Sequence, residues 1–418
     1  MLAAQLAEDA AERLLRYVRI DTQSDEDSES YPSTEKQLDL LRLLEGELRE
    51  LGLADTAIDE HGYVTATLPA TVDHDVPTIA FFAHVDTARE VTGANVQPQR
   101  IRYDGGEIAL GNSGQVIRAK ESPELQAHVG HELITTDGTT LLGADDKAGI
   151  AEIMAAAAYL VAHPELPRGT VKVAFNPDEE VGRGVIHFPV GSFGAVAAYT
   201  VDGTTAGEIQ EETFSGASVR MKIRGRAIHP GLAKGELVNA IKLAAEVVER
   251  LPKDTLSPET TDERDGYVHP ILIAGDSAEV ELRFIARDFD DELLDEHVDL
   301  LRGIAAEVAA EDERCSIEVE SRIQYRNMAA TLRKHPQIVA NLEEAVRRVG
   351  LEPRRTAIRG GTDGSALTEM GLPTPNIFTG GHDAHSEREW ICVEDMGLAA
   401  ATVVELTRVW AEGGIVRP

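Results

Sequence analysis

The chain has 418 residues, a formal net charge of −33 at pH 7, and 42% hydrophobic residues. So negative a field repels phosphate backbones and anionic lipid headgroups, which argues against nucleic-acid and membrane partners. The length exceeds one ordinary core and sets an expectation of two domains.

The opening stretch, MLAAQLAEDAAERLL, has no basic region followed by a long apolar run. It reads as an amphipathic helix, not a signal peptide. STEKQLDLLRLLEGELRELGL predicts a second helix, with Thr34 and Gln37 at capping-box spacing and Leu38, Leu41, Leu44 and Leu48 on one face. PTIAFFAH is a continuous apolar run and predicts a strand buried on both faces. A further helix begins near Asp146 and runs through KAGIAEIMAAAAYLVAH, whose most apolar part is too short to span a bilayer. The strands TVKVAF and AVAAYTV follow, the latter ending at Asp202. This alternation predicts an α/β layer fold over residues 1–211. Near Thr213 the character changes. ASVRMKIRG alternates with period two, and a helix (LVNAIKLAAEVVERL), two strands (ILIAG, AEVELRFIA) and a long helix (DDELLDEHVDLLRGIAAEVAAE) come after it. They predict an inserted α+β domain over 212–329. From 330 to 418 the helix–strand–helix pattern returns, so both flanks of the chain are expected to build one domain. Cys315 and Cys392 are the only cysteines and give no disulfide framework, so a cytoplasmic protein is expected.

The stretch VAFNPDEEVGRG places Asp178, Glu179 and Glu180 side by side at the end of an apolar run. Adjacent like charges there are costly unless a positive charge sits nearby or water surrounds them. Four more strand ends carry similar residues. FFAHVDTA has His84 and Asp86, LLGADDKAG has Asp145 and Asp146, YTVDGTT has Asp202, and FTGGHDAHSERE has His382, His385 and Glu389. Each has an ordinary structural reading: a helix cap for one of Asp145 and Asp146, a solvated turn for the three acids, a turn residue at Asp202, a loop histidine at His385. Together they favour convergence, because open α/β sheets collect ligands at the carboxyl ends of their strands. A pair of divalent metals would neutralise the acids. Imidazole nitrogen with carboxylate oxygen suits zinc, and also manganese or cobalt, and a carboxylate can offer one oxygen to each of two metals.

The order His-x-Asp, Gly-x-Asp-Asp-Lys, Glu-Glu, Asp-Gly and a late His resembles the M20 family of two-metal peptidases. Within it, LITTDGTTLLGADDKAG and HPGLAKG are similar to the tripeptide aminopeptidase branch, over nearly the whole chain. The resemblance implies an exopeptidase-like α/β catalytic domain with an inserted α+β lid and dimerisation domain, binding two metal ions, most suitably zinc. It implies that His84 and Asp202 bind one metal, that Glu180 and His385 bind the other, and that Asp145 bridges them. Asp86 would accept the second N–H of His84, and Glu179 would be the general base for a metal-bridging water. The family's last ligand commonly sits in a His-Gly-x-x-Glu setting. Here His385 with Glu389 keeps the spacing, and it is favoured over His382.

In the inserted stretch, RAIHPGLAKG places His229 before proline and glycine. The resemblance implies that this histidine steadies an oxyanion, often in the partner subunit's site, and that the chain is a homodimer. Asn239 is a further substrate-contact candidate. Arg287 and Arg359 either pair with Asp288 and Asp363 or clamp a peptide's C-terminal carboxylate. The expected activity is release of the N-terminal residue from tripeptides. The alternatives are a dipeptidase, carboxypeptidase or N-acyl amino-acid deacylase on the same scaffold, or a peptide-binding protein without turnover.

Overall fold

The computed structural model describes residues 2–111 and 113–413; positions 414–418 of the expected outer domain lie outside the described residues. The chain divides into two compact units, one of 1–211, 328–356 and 362–418, the other of 212–327 and 357–361.

The first unit is built on a mixed eight-stranded sheet of β1 (Ala54–Ile58), β2 (Val64–Leu68), β3 (Ile79–His84), β4 (Val171–Asn176), β5 (Ala197–Gly203), β6 (Glu208–Thr213), β7 (Arg354–Ile358) and β8 (Asn376–Phe378). Their order across the sheet is β1-β2-β4-β3-β5-β8-β6-β7. β3 lies parallel to β4 on one side and β5 on the other, so the three strands end at the same edge. The apolar run IAFFAH is buried at every position. Ile79, Phe81 and Ala83 face a core shared with the helices Leu2–Tyr17, Ala144–Ala162 and Val393–Gly413. Ala80 and Phe82 face a second core with Val185, Phe188, Phe193 and Leu367. Alternation along the pleat thus puts apolar groups into both layers.

The helix Ala144–Ala162 is alanine-rich and buried over most of its length. Gly149 lets it lie against β5, since a Cβ there would collide with the carbonyl oxygen of Val201. The second helix spans Gln37–Glu50, but the capping box expected of Thr34 and Gln37 does not form: no side chain caps its start. Thr34 Oγ1 donates to the Gln23 carbonyl, and the Gln37 amide is drawn to the buried carboxylate of Asp178. A small antiparallel sheet not anticipated from sequence orders Gly381–His382, Trp390–Cys392, Glu132–Thr135 and Gln99–Arg102. It brings the loop 383–389 back to the loop before Ala144. Among the described residues no helix is long and apolar enough to cross a membrane.

The second unit is a four-stranded antiparallel sheet ordered Tyr267–Gly275, Glu279–Asp288, Ser215–Arg224, Ser316–Tyr325. The helices Ala240–Glu249 and Asp291–Ala310 pack on it. Asp290 caps the longer helix through Glu292 N and Leu293 N. Residues 357–361, expected in the outer domain, belong with this unit, where Phe214 N donates to the Ile358 carbonyl.

Candidate metal centre and active site

Three parallel strand ends and two loops meet at one point. His84 closes β3, Glu179 and Glu180 follow β4, and Asp202 lies near the end of β5. Asp145 opens the helix Ala144–Ala162, and His385 comes in on the loop after Gly381–His382.

Asp145 stands at the centre. Its Oδ1 is 3.2 Å from His84 Nε2, and its Oδ2 is 3.3 Å from His385 Nε2. Asp202 Oδ1 lies 3.7 Å from His84 Nε2, and Glu180 Oε1 lies 3.2 Å from His385 Nε2. Two groups of donor atoms result, His84–Asp145–Asp202 and Asp145–Glu180–His385, and they share Asp145. His382 is not part of either; it stacks on Trp390 with ring centres 4.3 Å apart. Asp86 is fully buried and accepts hydrogen bonds from Glu179 N at 3.0 Å and Glu180 N at 3.1 Å. Its Oδ1 is also 3.4 Å from His84 Nδ1, which lies 3.1 Å from the Asp86 carbonyl. Asp86 therefore orients the two glutamates through its carboxylate and the imidazole chiefly through its backbone carbonyl. Glu179 Oε2 is 4.0 Å from His84 Nε2.

The electrostatics favour added positive charge. Burial opposes protonation of His84, but Asp145, Asp202 and Asp86 outweigh it and raise its pKa well above the ordinary value. Hydrogen bonds to Asp145 and Glu180 push His385 up to about 11. Burial, then the charge of Asp145, pushes Glu180 up to about 7, and burial also raises Glu179 well above its usual range. Asp145 shows the converse: burial opposes its charge, yet bonds to His385 and His84 hold it low. Two imidazoles and three carboxylates around one point fit a pair of divalent cations of the zinc, manganese and cobalt type.

The three adjacent acids divide. Glu179 and Glu180 face the centre, while Asp178 turns away and is fully buried. It accepts bonds from Ser33 N (2.7 Å), Ser33 Oγ (2.5 Å) and Gln37 Nε2 (2.7 Å). These bonds help hold its left-handed backbone, φ 61°, a conformation costly for a residue with a Cβ. Asp146 takes the helix-capping role: Oδ1 accepts from Gly149 N and Oδ2 from His84 N, each at 3.2 Å. Glu389, four residues after His385, is almost wholly buried. It accepts three backbone N–H groups, Leu142 and Gly143 at 2.7 Å and Asp145 at 3.0 Å. Asp363, which the sequence offers as a partner for Arg359, is buried and accepts a bond from Asn176 Nδ2 at 2.6 Å, and its charge adds to the effect of burial in raising the proton affinity of Glu179. The sequence signal for these supporting residues was a carboxylate placed near small residues, which marks surface turns equally well.

The remaining candidates lie in the second unit. His229 is exposed, and its Nδ1 accepts from Gly231 N at 3.1 Å. Asn239 caps the helix Ala240–Glu249 through Ile241 N. Neither arginine forms the expected acid pair. Arg287 donates through Nη1 to the carbonyls of Ala217 and Ala286, beside the Tyr325 ring. Arg359 donates to the carbonyls of Thr261, Glu263 and Asp265. Asp288 instead holds His297 at 2.9 Å.

The model of peptidase family M20/M25/M40 matches residues 132–408. Peptidase T of Geobacillus thermodenitrificans (strain NG80-2) is 48% identical over 409 residues, covering 97% of this chain and 99% of the relative. Peptidase T of Bacillus subtilis (strain 168) is 47% identical over 405 residues, covering 96% and 98%. The crystal structure of aminopeptidase PepT from Bacillus cereus ATCC 10987 shares the fold, with a TM-score of 0.75 at 24% identity over 97% of this chain and 99% of that one. The YXEP protein of Bacillus subtilis, a dinuclear metal-binding peptidase of the M20 family, shares it with a TM-score of 0.65 at 15% identity, over 97% and 98%. By the extent of the family match and the identity to full-length relatives, the chain belongs to peptidase family M20/M25/M40.

Proposed function

We infer that the chain is a metal-dependent aminopeptidase that releases the N-terminal residue of tripeptides. One observation carries the reading: Asp145 offers one oxygen to a cluster with His84 and the other to a cluster with His385. The identity to peptidase T relatives supports the substrate class. His84 and Asp202 would hold one ion, Glu180 and His385 the other, with Asp145 between them, and the donor set favours zinc. A bound pair of divalent ions would polarise the scissile carbonyl and make a water nucleophilic at neutral pH.

The chain's own residues do the rest. Glu179 takes a proton from the attacking water and passes it to the leaving amine. Burial raises its proton affinity toward the range such a base needs. Asp86 keeps Glu179 and His84 in register through the contacts above. His229 accepts a hydrogen bond at Nδ1 from Gly231 N, which leaves Nε2 as the ring's donor, suited to an oxyanion. Arg287, bonded only through Nη1 among the described residues, suits a carboxylate clamp better than Arg359, whose guanidinium is committed to loop carbonyls. Asn239 uses Oδ1 as a cap and keeps Nδ2 for a substrate carbonyl.

A homodimer through the second unit fits its edge strand Tyr267–Gly275, where Ile271, Leu272 and Ile273 are exposed in succession. A cytoplasmic location fits the two free cysteines. The test is a panel of tripeptides, with acetylated and amidated analogues and dipeptides, assayed before and after chelation. Release of the first residue, lost with chelation and restored by zinc, is expected. Release from the C-terminus, or equal turnover of N-acetylated peptides, would refute the reading.

A further inference from the structure

We propose that His128, His131 and Cys392 form a third metal site, separate from the centre around Asp145, for one divalent transition-metal ion of the zinc type. Local structure brings the three together. His128 ends the 3₁₀ turn Pro123–His128, His131 directly precedes the strand Glu132–Thr135, and Cys392 ends the strand Trp390–Cys392. Cys392 pairs with Leu133 across the small sheet, so His131 arrives beside it, with Nδ1 at 3.8 Å from Sγ. One donor atom from each residue lies within 4.8 Å of the others.

The tautomer of His128 suits a ligand. Its Nδ1 is 2.8 Å from the Glu124 carbonyl, which only accepts, so the ring proton sits on Nδ1 and Nε2 faces the cluster. Metal-bound histidines are commonly oriented by such a carbonyl. Asp395 Oδ2 lies 2.9 Å from Nε2, a spacing close to those between His84 and Asp145 and between His385 and Glu180. Asp395 thus holds the His128 ring from the side, while the converging donors are those of His128, His131 and Cys392. His382, with its ring centre 5.7 Å from that of His128, has a buried Nε2 without a hydrogen-bond partner. A buried orphan of this kind is costly, and it marks the region as polar beyond what the protein's own groups satisfy.

The simpler reading is an ion pair between His128 and Asp395. It accounts for those two residues, and Cys392 Sγ also lies 3.5 Å from Glu394 Oε2, but neither contact accounts for the second imidazole, His131, drawn to the same point. One thiolate and two imidazoles, with a fourth position left open, suit zinc or cobalt, and the sulfur disfavours calcium and magnesium. On binding, Cys392 releases its thiol proton to water and both imidazoles bind neutral. His131 is partly exposed and gives the ion a way in. The site would fasten the turn at 123–131 to the first turn of the helix Val393–Gly413.

Cobalt(II) titration of the metal-free protein tests this. The donors around Asp145 are nitrogen and oxygen only, so a sulfur-to-cobalt charge-transfer band reports on a cysteine site alone. The other cysteine, Cys315, lies in the second unit. Wild type and Cys315→Ser should show the band and bind three cobalt ions. Cys392→Ser should lose the band and bind two, with tripeptide turnover retained. A wild-type protein with both thiols reduced that binds two ions and shows no band would overturn the proposal and leave the His128–Asp395 ion pair. A band that persists in Cys392→Ser would overturn it equally.

Discussion

Replacing Glu389 with glutamine would test whether the bridging carboxylate is held in place from behind. Glu389 is 1% exposed and accepts three backbone N–H bonds from the loop that presents Asp145. Glutamine keeps one acceptor oxygen. If that oxygen serves Leu142 and Gly143, the Asp145 N–H meets an amide N–H₂ and its bond is lost. One charge-assisted bond contributes about 1.5–3 kcal/mol, and the other two weaken by roughly half when the charge goes, a gross loss of about 4 kcal/mol. Burial pushes the Glu389 carboxyl up to about 7, so a neutral amide recovers part of that desolvation cost. A net loss of about 2–3 kcal/mol remains. Passed to the loop, it should lower metal affinity by about 30–100-fold, the scale expected when a group orienting metal ligands is removed. The assay is zinc or cobalt affinity by chelator competition on the apo protein, beside a near-ultraviolet circular dichroism spectrum. Unchanged affinity in a folded variant would refute the clamp.

Glu179→Gln should keep both metals and lower kcat by about 10²–10⁴-fold, the range for a positioned general base; metal loss in that variant would contradict the division between the two glutamates. Arg287→Lys should reduce turnover of a free tripeptide far more than that of its C-terminal amide, and equal losses would end its role as a clamp. Gln37→Ala leaves the buried Asp178 one donor short and should cost about 1.5–3 kcal/mol in urea unfolding at pH 7; a stability within error of wild type would mean that water replaces the bond. Burial lowers the pKa of His382 to about 4. Its unfolded form binds a proton below about 6.5, so its contribution is fully present above that pH and is lost as pH falls toward 4. His382→Phe should remove about 3 kcal/mol of the stability change between pH 7 and 4 while keeping the stack on Trp390; an unchanged pH slope would show that His382 does not titrate there.

The strands that present the centre were legible because burial on both faces writes a continuous apolar run, as in IAFFAH, and the polar residues that follow mark the strand end. The helix Asp291–Ala310 was legible as one unbroken stretch, DDELLDEHVDLLRGIAAEVAAE, and the structure adds its cap at Asp290. What escaped is tertiary. Gln37 has capping-box spacing from Thr34, yet Asp178, distant in sequence, takes its amide, because a buried carboxylate outcompetes a helix end open to water. The small sheet escaped because two of its strands are short: Gly381–His382 and Trp390–Cys392 carry little periodicity. The partners of Arg359 are backbone carbonyls, which no side-chain pattern records, so the sequence left it between an acid pair and a substrate clamp.

Anomalous diffraction at the zinc edge, from crystals of the zinc-loaded protein, addresses the main assignment directly. Two peaks flanking the Asp145 carboxylate are predicted, one against His84 and Asp202, the other against His385 and Glu180. A single peak, or peaks that leave Asp145 without contact, would contradict it.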